Sequence, residues 1–259
     1  MKKVVKTVGL LATGSELISG EILNTNGQTI SQILFSLGVH LGEQLMVDDQ
    51  ESNICAGIEF LAGRHSAVII TGGLGPTSDD RTRFALTSFL NLPLIFNVES
   101  WERIEKRFAL RDRVPTENNR IQSLFSEGAQ VLPNPNGTAD GAMIEREFQG
   151  TKQLFFLLPG PPLECLPLFE NHVLPILKSH QYFSENRLYR WTLMDVSESV
   201  IASKLDPFAE KYGIEIAYRA AKPALHIKVI LHPDHPIDHW IKEIENLLLP
   251  HAFERNFPL

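Results

Sequence analysis

The residues best suited to chemistry sit in one stretch, Thr71-Gly72-Gly73-Leu74-Gly75-Pro76-Thr77-Ser78-Asp79-Asp80. Three glycines within four positions let backbone amides turn inward and approach an anion closely. A helix expected to open near Asp79-Asp80 adds free N–H donors and partial positive charge at its N-terminus. Two adjacent carboxylates repel each other unless a cation joins them, and Mg²⁺ commonly bridges carboxylates and substrate phosphates. A lone Gly-Gly-X-Gly followed by Asp is also what a tight, Asp-capped turn looks like. The weight therefore rests on what accompanies it.

Three further loops accompany it. Ala12-Thr13-Gly14-Ser15-Glu16 follows the first apolar run, with Gly14 and Ser15 as candidate donors and Glu16 as a candidate for a hydroxyl or a metal. Pro133-Asn134-Pro135-Asn136-Gly137-Thr138-Ala139-Asp140-Gly141 is rich in turn formers between two expected strands. Leu158-Pro159-Gly160-Pro161-Pro162 again ends a strand and precedes a helix. One such loop is punctuation, whereas four at the strand ends of one domain outline the rim of a nucleotide-sized pocket.

The elements that must carry these loops follow from periodicity. Val4-Val5, Val8 and Leu10-Leu11 read as a first strand that stops at Thr13-Gly14. Ile30, Ile33, Leu34 and Leu37 fall on one helical face, and Gly38 stands where a C′ glycine belongs. Val39 to Val47 reads as a strand, and Ile54, Ile58 and Leu61 as a second helix. Ala67-Val68-Ile69-Ile70 is a continuous apolar run of the kind buried on both faces of a parallel sheet. Later strands are expected at Gln130–Leu132, Ala142–Glu145 and Leu154–Leu158, before a helix marked by Leu163, Leu166, Phe169, Val173 and Leu177. Strand–helix alternation with short connections predicts an α/β domain over 1–178, with a three-layer, mostly parallel sheet. From 183 to 259 the rhythm changes to β-α-β-β-α: strands at Arg187–Met194, Ile214–Tyr218 and Leu225–Leu231, helices at Ser197–Leu205 and from Ile237 to Leu248. That order predicts a second, smaller two-layer α/β domain.

Composition narrows the function classes. Of 259 residues 43% are hydrophobic and 21% charged, which excludes a disordered, collagen-like or coiled-coil chain. A formal net charge of −7 gives no general attraction to nucleic acid or anionic membrane, and leaves carboxylates to spare for a hard cation. Met1-Lys2-Lys3 is basic, but Lys6, Thr7 and Gly9 break the apolar run behind it, so it reads as a strand and not a signal peptide. Cys55 and Cys165 form no CxxC pattern, and the cytoplasm is the default compartment. His232, His235 and His239 have zinc-compatible spacing, but the Pro- and Asp-rich turn around them reads as a solvated helix start. Trp101, Phe108 and Trp240 read as core or domain-contact residues. After residue 181 acidic residues outnumber basic ones and no clear GxxG clamp occurs, so no RNA binding is expected there.

TGGLGPTSDD at Thr71–Asp80, Asn118-Asn119-Arg120-Ile121-Gln122, LPNPNGTADG at Leu132–Gly141 and LLPGPP at Leu157–Pro162, in this order, resemble the N-terminal half of the CinA family of competence/damage-inducible proteins. That half is similar to molybdopterin-binding domains of the MogA and MoeA type. The resemblance runs from about Val8 to Leu177, and the region after 183 looks like the family's small KH-like domain. It implies metal-dependent hydrolysis of a nucleotide pyrophosphate, ADP-ribose to AMP and ribose 5-phosphate being the leading reaction. Pterin or molybdopterin handling and non-catalytic nucleotide binding are its rivals. The chain ends at Leu259, too early for the family's further domain that deamidates nicotinamide mononucleotide, so that activity is not expected.

By this resemblance Gly72, Gly73, Gly75 and Thr77 belong to the phosphate loop, Asp80 to its acidic position and Asp79 to the extra Asp of the branch. Asp48 matches the acid after the second strand. Glu16, Asn24 and Asn26 match the first loop and the helix behind it, and Gly14 and Ser15 lie in that loop. Asn119, Arg120 and Gln122 match the NRxQ stretch, and Gly137, Thr138 and Gly160 the last two loops. Asp80 with Asp79 or Asp48 would hold a divalent metal ion (Mg, Mn or Co), with a monovalent cation as a further candidate. Arg120 and the loop amides would stabilise developing charge, and Asp48 or Glu16 would accept the proton. The assembly implied is a homo-oligomer, a dimer first. Two departures stand out. Asp140 replaces the usual Pro and is expected to point to solvent, and Pro161-Pro162-Leu163-Glu164-Cys165 replaces the usual VPSEM.

Overall fold

The computed structural model describes residues 6–183, 187–232, 234–249, 251 and 253–256, so Val4 and Val5 of the expected first strand lie outside the described residues. The chain divides into two units, one of residues up to 182 without 36–38, the other of 36–38 and the residues from 183 onward. The first unit runs β1 (Thr7–Thr13), α1 (Ser15–Ile18), α2 (Thr25–Ser36), β2 (His40–Val47), α3 (Glu51–Ala62), β3 (Ala67–Thr71) and α4 (Thr82–Phe89). It continues with β4 (Leu94–Phe96), α5 (Val98–Ala109), a 3₁₀ helix (Glu117–Ser123), β5 (Leu124–Ser126), β6 (Gln130–Leu132), β7 (Gly141–Phe148) and β8 (Thr151–Leu158). It closes with α6 (Pro162–Leu168) and α7 (Leu174–Ser179), joined without a break by a π turn, Phe169–Val173. Pro175 has no N–H to offer the preceding turn, and the helix widens there instead of ending.

The main sheet has the order β2-β1-β3-β8-β7-β6, with β2, β1, β3 and β8 parallel and β7 antiparallel to both of its neighbours. Every residue of β3 is buried, as a central parallel strand requires. β7 turns into β8 through Gln149 and Gly150, both with positive φ (49° and 76°), a two-residue turn whose twist matches paired strands. Leu11, Val68, Ile70, Phe155 and Leu157 share one core cluster with Ile54, Ile58 and Leu61 of α3 and Ala85 and Leu86 of α4. By the right-handed crossover rule α2, which links β1 to β2, lies on the opposite face from α3, which links β2 to β3. The expected three-layer, mostly parallel α/β unit is therefore what forms. At the end of α2, Gly38 has φ 70°, the left-handed value that its C′ position needs.

The second unit runs β9 (Arg187–Met194), α8 (Glu198–Tyr212), β10 (Ile216–Ala221), β11 (Ala224–Leu231), α9 (Ile237–Leu248) and β12 (Phe253–Asn256). Its sheet is antiparallel, in the order β10-β11-β9-β12. Its own core gathers Trp191, Leu193, Ile227 and Val229 of the sheet with Ile201, Leu205, Ile244 and Leu248 of the helices. The buried Trp191 indole N–H donates to Glu245 at 3.2 Å. α8 outruns its expected end at Leu205, passing Pro207 to stop at Gly213, whose φ is 64°. Phe208, beyond that expected end, packs edge-on against Tyr212 and Trp240. His232 and His235 precede α9 while His239 lies on it, so the three do not share a helical face. His235 is not simply solvated, since its ring lies 4.6 Å from that of Trp240. Among the described residues no helix is long and apolar enough to cross a membrane.

Periodicity left residues 90–129 unread, and they form β4, α5, the 3₁₀ helix and β5. α5 corrects one expectation directly. Asp140 does not point to solvent; it is 4% exposed. One carboxylate oxygen accepts from Ser100 Oγ at 2.7 Å and from Arg103 Nε and Nη2 at 3.1 and 2.7 Å. The other accepts from the Asn134 amide at 2.7 Å. Once α5 brings Ser100 and Arg103 alongside, a buried carboxylate at position 140 ties the 133–141 loop to that helix. Asp140→Ala should therefore lower stability by about 2–3 kcal/mol, because it leaves a partly buried guanidinium and a buried amide without their acceptor. Asp140→Pro should do the same. A denaturant midpoint unchanged from wild type would contradict this.

Candidate active site

The parallel strands β1, β3 and β8 end side by side, and their exits are stitched together. Gly14 N–H donates to Val47 O at 3.0 Å and Gly72 N–H to Leu158 O at 3.0 Å. Thr13 Oγ1 is 2.9 Å from Thr82 Oγ1, which joins the end of β1 to the first residue of α4. Two glycines make this possible. A Cβ on Gly72 (φ 100°) would lie 2.3 Å from Thr13 O, and one on Gly73 (φ 62°) 2.2 Å from Thr82 Oγ1. Both positions thus require glycine for space and for backbone conformation. Beyond the stitched ends opens a cavity of about 910 Å³. It lies outside the carboxyl ends of the strands, where open α/β sheets bind ligands.

Of the residues anticipated for the site, Gly14, Glu16, Asn26, Gly72, Gly73, Gly75, Asp79, Asp80, Gln122, Thr138 and Gly160 line this cavity, as does Asn24. Ser15, Thr77, Asn119 and Gly137 do not line it but bond to or lie against residues that do. Ser15 donates through both N–H and Oγ to Asp49, each at 2.8 Å. Thr77 donates to Asp80 through its amide at 2.9 Å and through its hydroxyl. The Asp79 carboxyl is held below the usual range by its polar neighbours, the Thr77 side chain first and its own amide second. Asn119 donates to Gln122 and Gln122 to Thr138, each at 3.1 Å, a relay that fixes Thr138 at the rim. Gly137 lies beneath Glu164, a wall residue that accepts from Asn134 Nδ2 at 2.7 Å.

Two anticipated residues are elsewhere. Asp48 accepts from the Gln50 amide at 3.1 Å and Asn53 Nδ2 at 2.9 Å, so it ties down the start of α3. Its neighbour Asp49 is the one in the cavity wall. The acidic pair after β2 was visible in the sequence, but not which member turns inward. Arg120 lies in a separate hollow of about 420 Å³ with Phe96, Glu117 and Ile121. There its guanidinium sits 4.7 Å from the Phe96 ring centre and 3.2 Å from a Glu117 oxygen. Three residues per turn put Asn119 and Gln122 on one edge of the 3₁₀ helix and Arg120 on another. Sequence reasoning missed Asp49, Glu164 and the apolar flank of Leu17, Ile22 and Leu23.

The wall chemistry is one-sided. Glu16, Asp49, Asp79, Asp80 and Glu164 supply carboxylates, and no Lys, Arg or His is among the described lining residues. Asn26 donates through Nδ2 to Gly160 O at 2.6 Å, while its buried Oδ1 has no hydrogen-bond partner among the described residues. Among the described residues no group of three His, Cys, Asp or Glu side chains could hold a metal ion unaided. Asp79 and Asp80 fit a cation only as part of a ligand set that phosphate oxygens or water complete, as is usual for Mg²⁺.

Residues 9–179 match the family described as "Probable molybdopterin binding domain". A competence-damage inducible protein of Alkaliphilus metalliredigens is 44% identical over 172 residues, which cover 66% of this chain and 41% of that one. Its counterpart in Alkaliphilus oremlandii is 40% identical over 223 residues, or 82% and 53% of the two chains. The chain thus spans about half the length, or less, of these relatives. Among solved structures, the protein CinA of Thermoplasma acidophilum, described as of unknown function, superposes with a TM-score of 0.60 at 24% identity. The match covers 66% of this chain and 98% of that one, and the two share a fold. With more than half of its residues inside the matched region, the chain belongs to the molybdopterin-binding-domain family.

Proposed function

We propose that the first unit binds a phosphate-bearing ring compound of the pterin class in this cavity, together with a divalent cation (Mg, Mn or Co). The observation that carries the reading is the wall itself, a glycine-rich main-chain rim facing five carboxylates, Glu16, Asp49, Asp79, Asp80 and Glu164, with no basic side chain among the described lining residues. Main-chain amides can hold phosphate oxygens, but an anion entering among carboxylates meets repulsion unless a cation lies between them. The flank of Leu17, Ile22 and Leu23 offers apolar surface for a flat ring. The unpartnered Oδ1 of Asn26 offers an acceptor for a ring N–H. Membership of the molybdopterin-binding-domain family supports the same class of ligand.

A second reading, hydrolysis of a nucleotide pyrophosphate such as ADP-ribose, is favoured by Glu16. This carboxylate lies in the wall and folds back over Gly14, beside the glycine rim. When bound, the cation would neutralise phosphate oxygens and acidify a water molecule. Glu16 would accept the proton of the attacking water, and rim amides other than those of Gly14 and Gly72, which are already bonded to Val47 and Leu158, would hold the phosphoryl oxygens. Arg120, seated in another hollow, has no part in either reading.

Calorimetric titration with ADP-ribose and with a pterin monophosphate, in Mn²⁺ or in EDTA, tests both readings, and AMP release separates hydrolysis from binding. At least one ligand should bind about tenfold more tightly, or better, with Mn²⁺ present. Equal affinity in EDTA would overturn the proposal. Asp80→Asn, which keeps an acceptor for Thr77 but removes a charge, should weaken Mn²⁺-dependent binding about tenfold. Asp48→Asn should leave binding within about twofold and cost at most about 1 kcal/mol of stability, through its contacts at the start of α3.

A further inference from the structure

Arg83 lies one helical turn beyond Asp80, in α4, and is 1% exposed. Its Nε, Nη1 and Nη2 are all buried without a hydrogen-bond partner among the described residues. The guanidinium carbon stands 5.4 Å from the centre of the Phe125 ring. Burying an arginine this way is costly, and a Met or Leu would fill similar space without a charge to desolvate. Packing therefore does not explain the charge. Burial pushes the guanidinium down to about 10, with Asp80 and Asp140 pulling the other way, so it stays charged at neutral pH. The carboxylates acting on it thus come from the acidic turn of the cavity and from the 133–141 loop.

We infer that Arg83 is a positioning residue, a buried counter-charge behind the acidic turn that holds down the affinity of the empty cavity for a cation and raises its affinity for an anion. The inference rests on the cation-plus-anion reading of the cavity. Five carboxylates in one wall would by themselves attract a divalent cation whether or not a ligand is present. A fixed positive charge behind Asp80 opposes that cation, favours incoming phosphate, and couples the arrival of the two. Because Arg83 is sealed from the cavity and screened little by solvent, its field acts without any contact to either ligand.

The test uses the opposite signs of the two effects. Arg83→Met should bind Mn²⁺ alone about tenfold more tightly than wild type, and ADP-ribose at saturating Mn²⁺ about tenfold less tightly. Arg83→Lys, which keeps the charge and changes the shape, should stay within about threefold of wild type on both measures. Should Arg83→Met fail to fold, Arg83→Gln is read by the same two titrations. A variant that loses affinity for Mn²⁺ and ADP-ribose together, or Lys behaving as Met does, would mean that Arg83 acts through packing and would overturn the inference. If wild-type protein binds a pterin monophosphate but not ADP-ribose, the anion titration uses the pterin; wild-type protein that binds neither anion with Mn²⁺ present would overturn the reading beneath it instead.

Discussion

The site depends on the contact between the exits of β1 and β3. Where Gly72 and Gly73 meet Thr13 and Thr82 there is no room for a side chain on either glycine. Remove that closeness and β1 can no longer be tied to α4 through the two threonine hydroxyls. The turn from Leu74 to Arg81 is held at the cavity because both of its ends are pinned there. Asp79 and Asp80 are consequently wall residues, and α4 starts two residues later than its acidic prelude suggests. Arg83 follows as a geometric result, carried by the first turn of that helix into the interior.

A second constraint acts from the far side of the rim. Asp140 binds Ser100, Arg103 and the Asn134 amide at once, so the 133–141 loop is clamped to α5. Glu164 and Asn134 close the same loop against α6. With β8 delivering Gly160 to the Asn26 side chain, the rim is tied to helices on several sides and does not rely on its own turns for shape.

How much of this was legible depended on the kind of signal. Uniform apolar runs and strand–helix alternation placed β1, β3 and β8, and with them three of the four loops, because burial on both sheet faces leaves a plain mark on composition; the fourth, 133–141, joins β6 to β7. α5 left a weaker one: only Ser100 and Ile104 are buried along it, and its charged residues conceal the apolar stripe. Missing that helix is why Asp140 read as a solvent-facing intruder. Motif position could say that an acid follows β2 and an arginine follows Asn119. It could not say that Asp49 turns inward where Asp48 ties down α3, or that 3₁₀ geometry turns Arg120 away from Gln122. Those outcomes are set by one residue of phase, which a pattern of residue types does not encode.

The glycine rim carries a consequence for how such a pocket can diverge. On the proposed reading the groups that hold phosphate belong to the main chain, so side-chain exchange along the wall would not delete them. A Cβ at Gly72 or Gly73 would disturb them, and that change also attacks the packing where β1 and β3 end. On that reading ligand choice would fall to Leu17, Ile22, Leu23 and the carboxylates of the wall, which could drift while the cradle stays fixed. On the proposed reading, a lineage built on this frame could exchange one phosphorylated ring for another while the main-chain cradle stays in place.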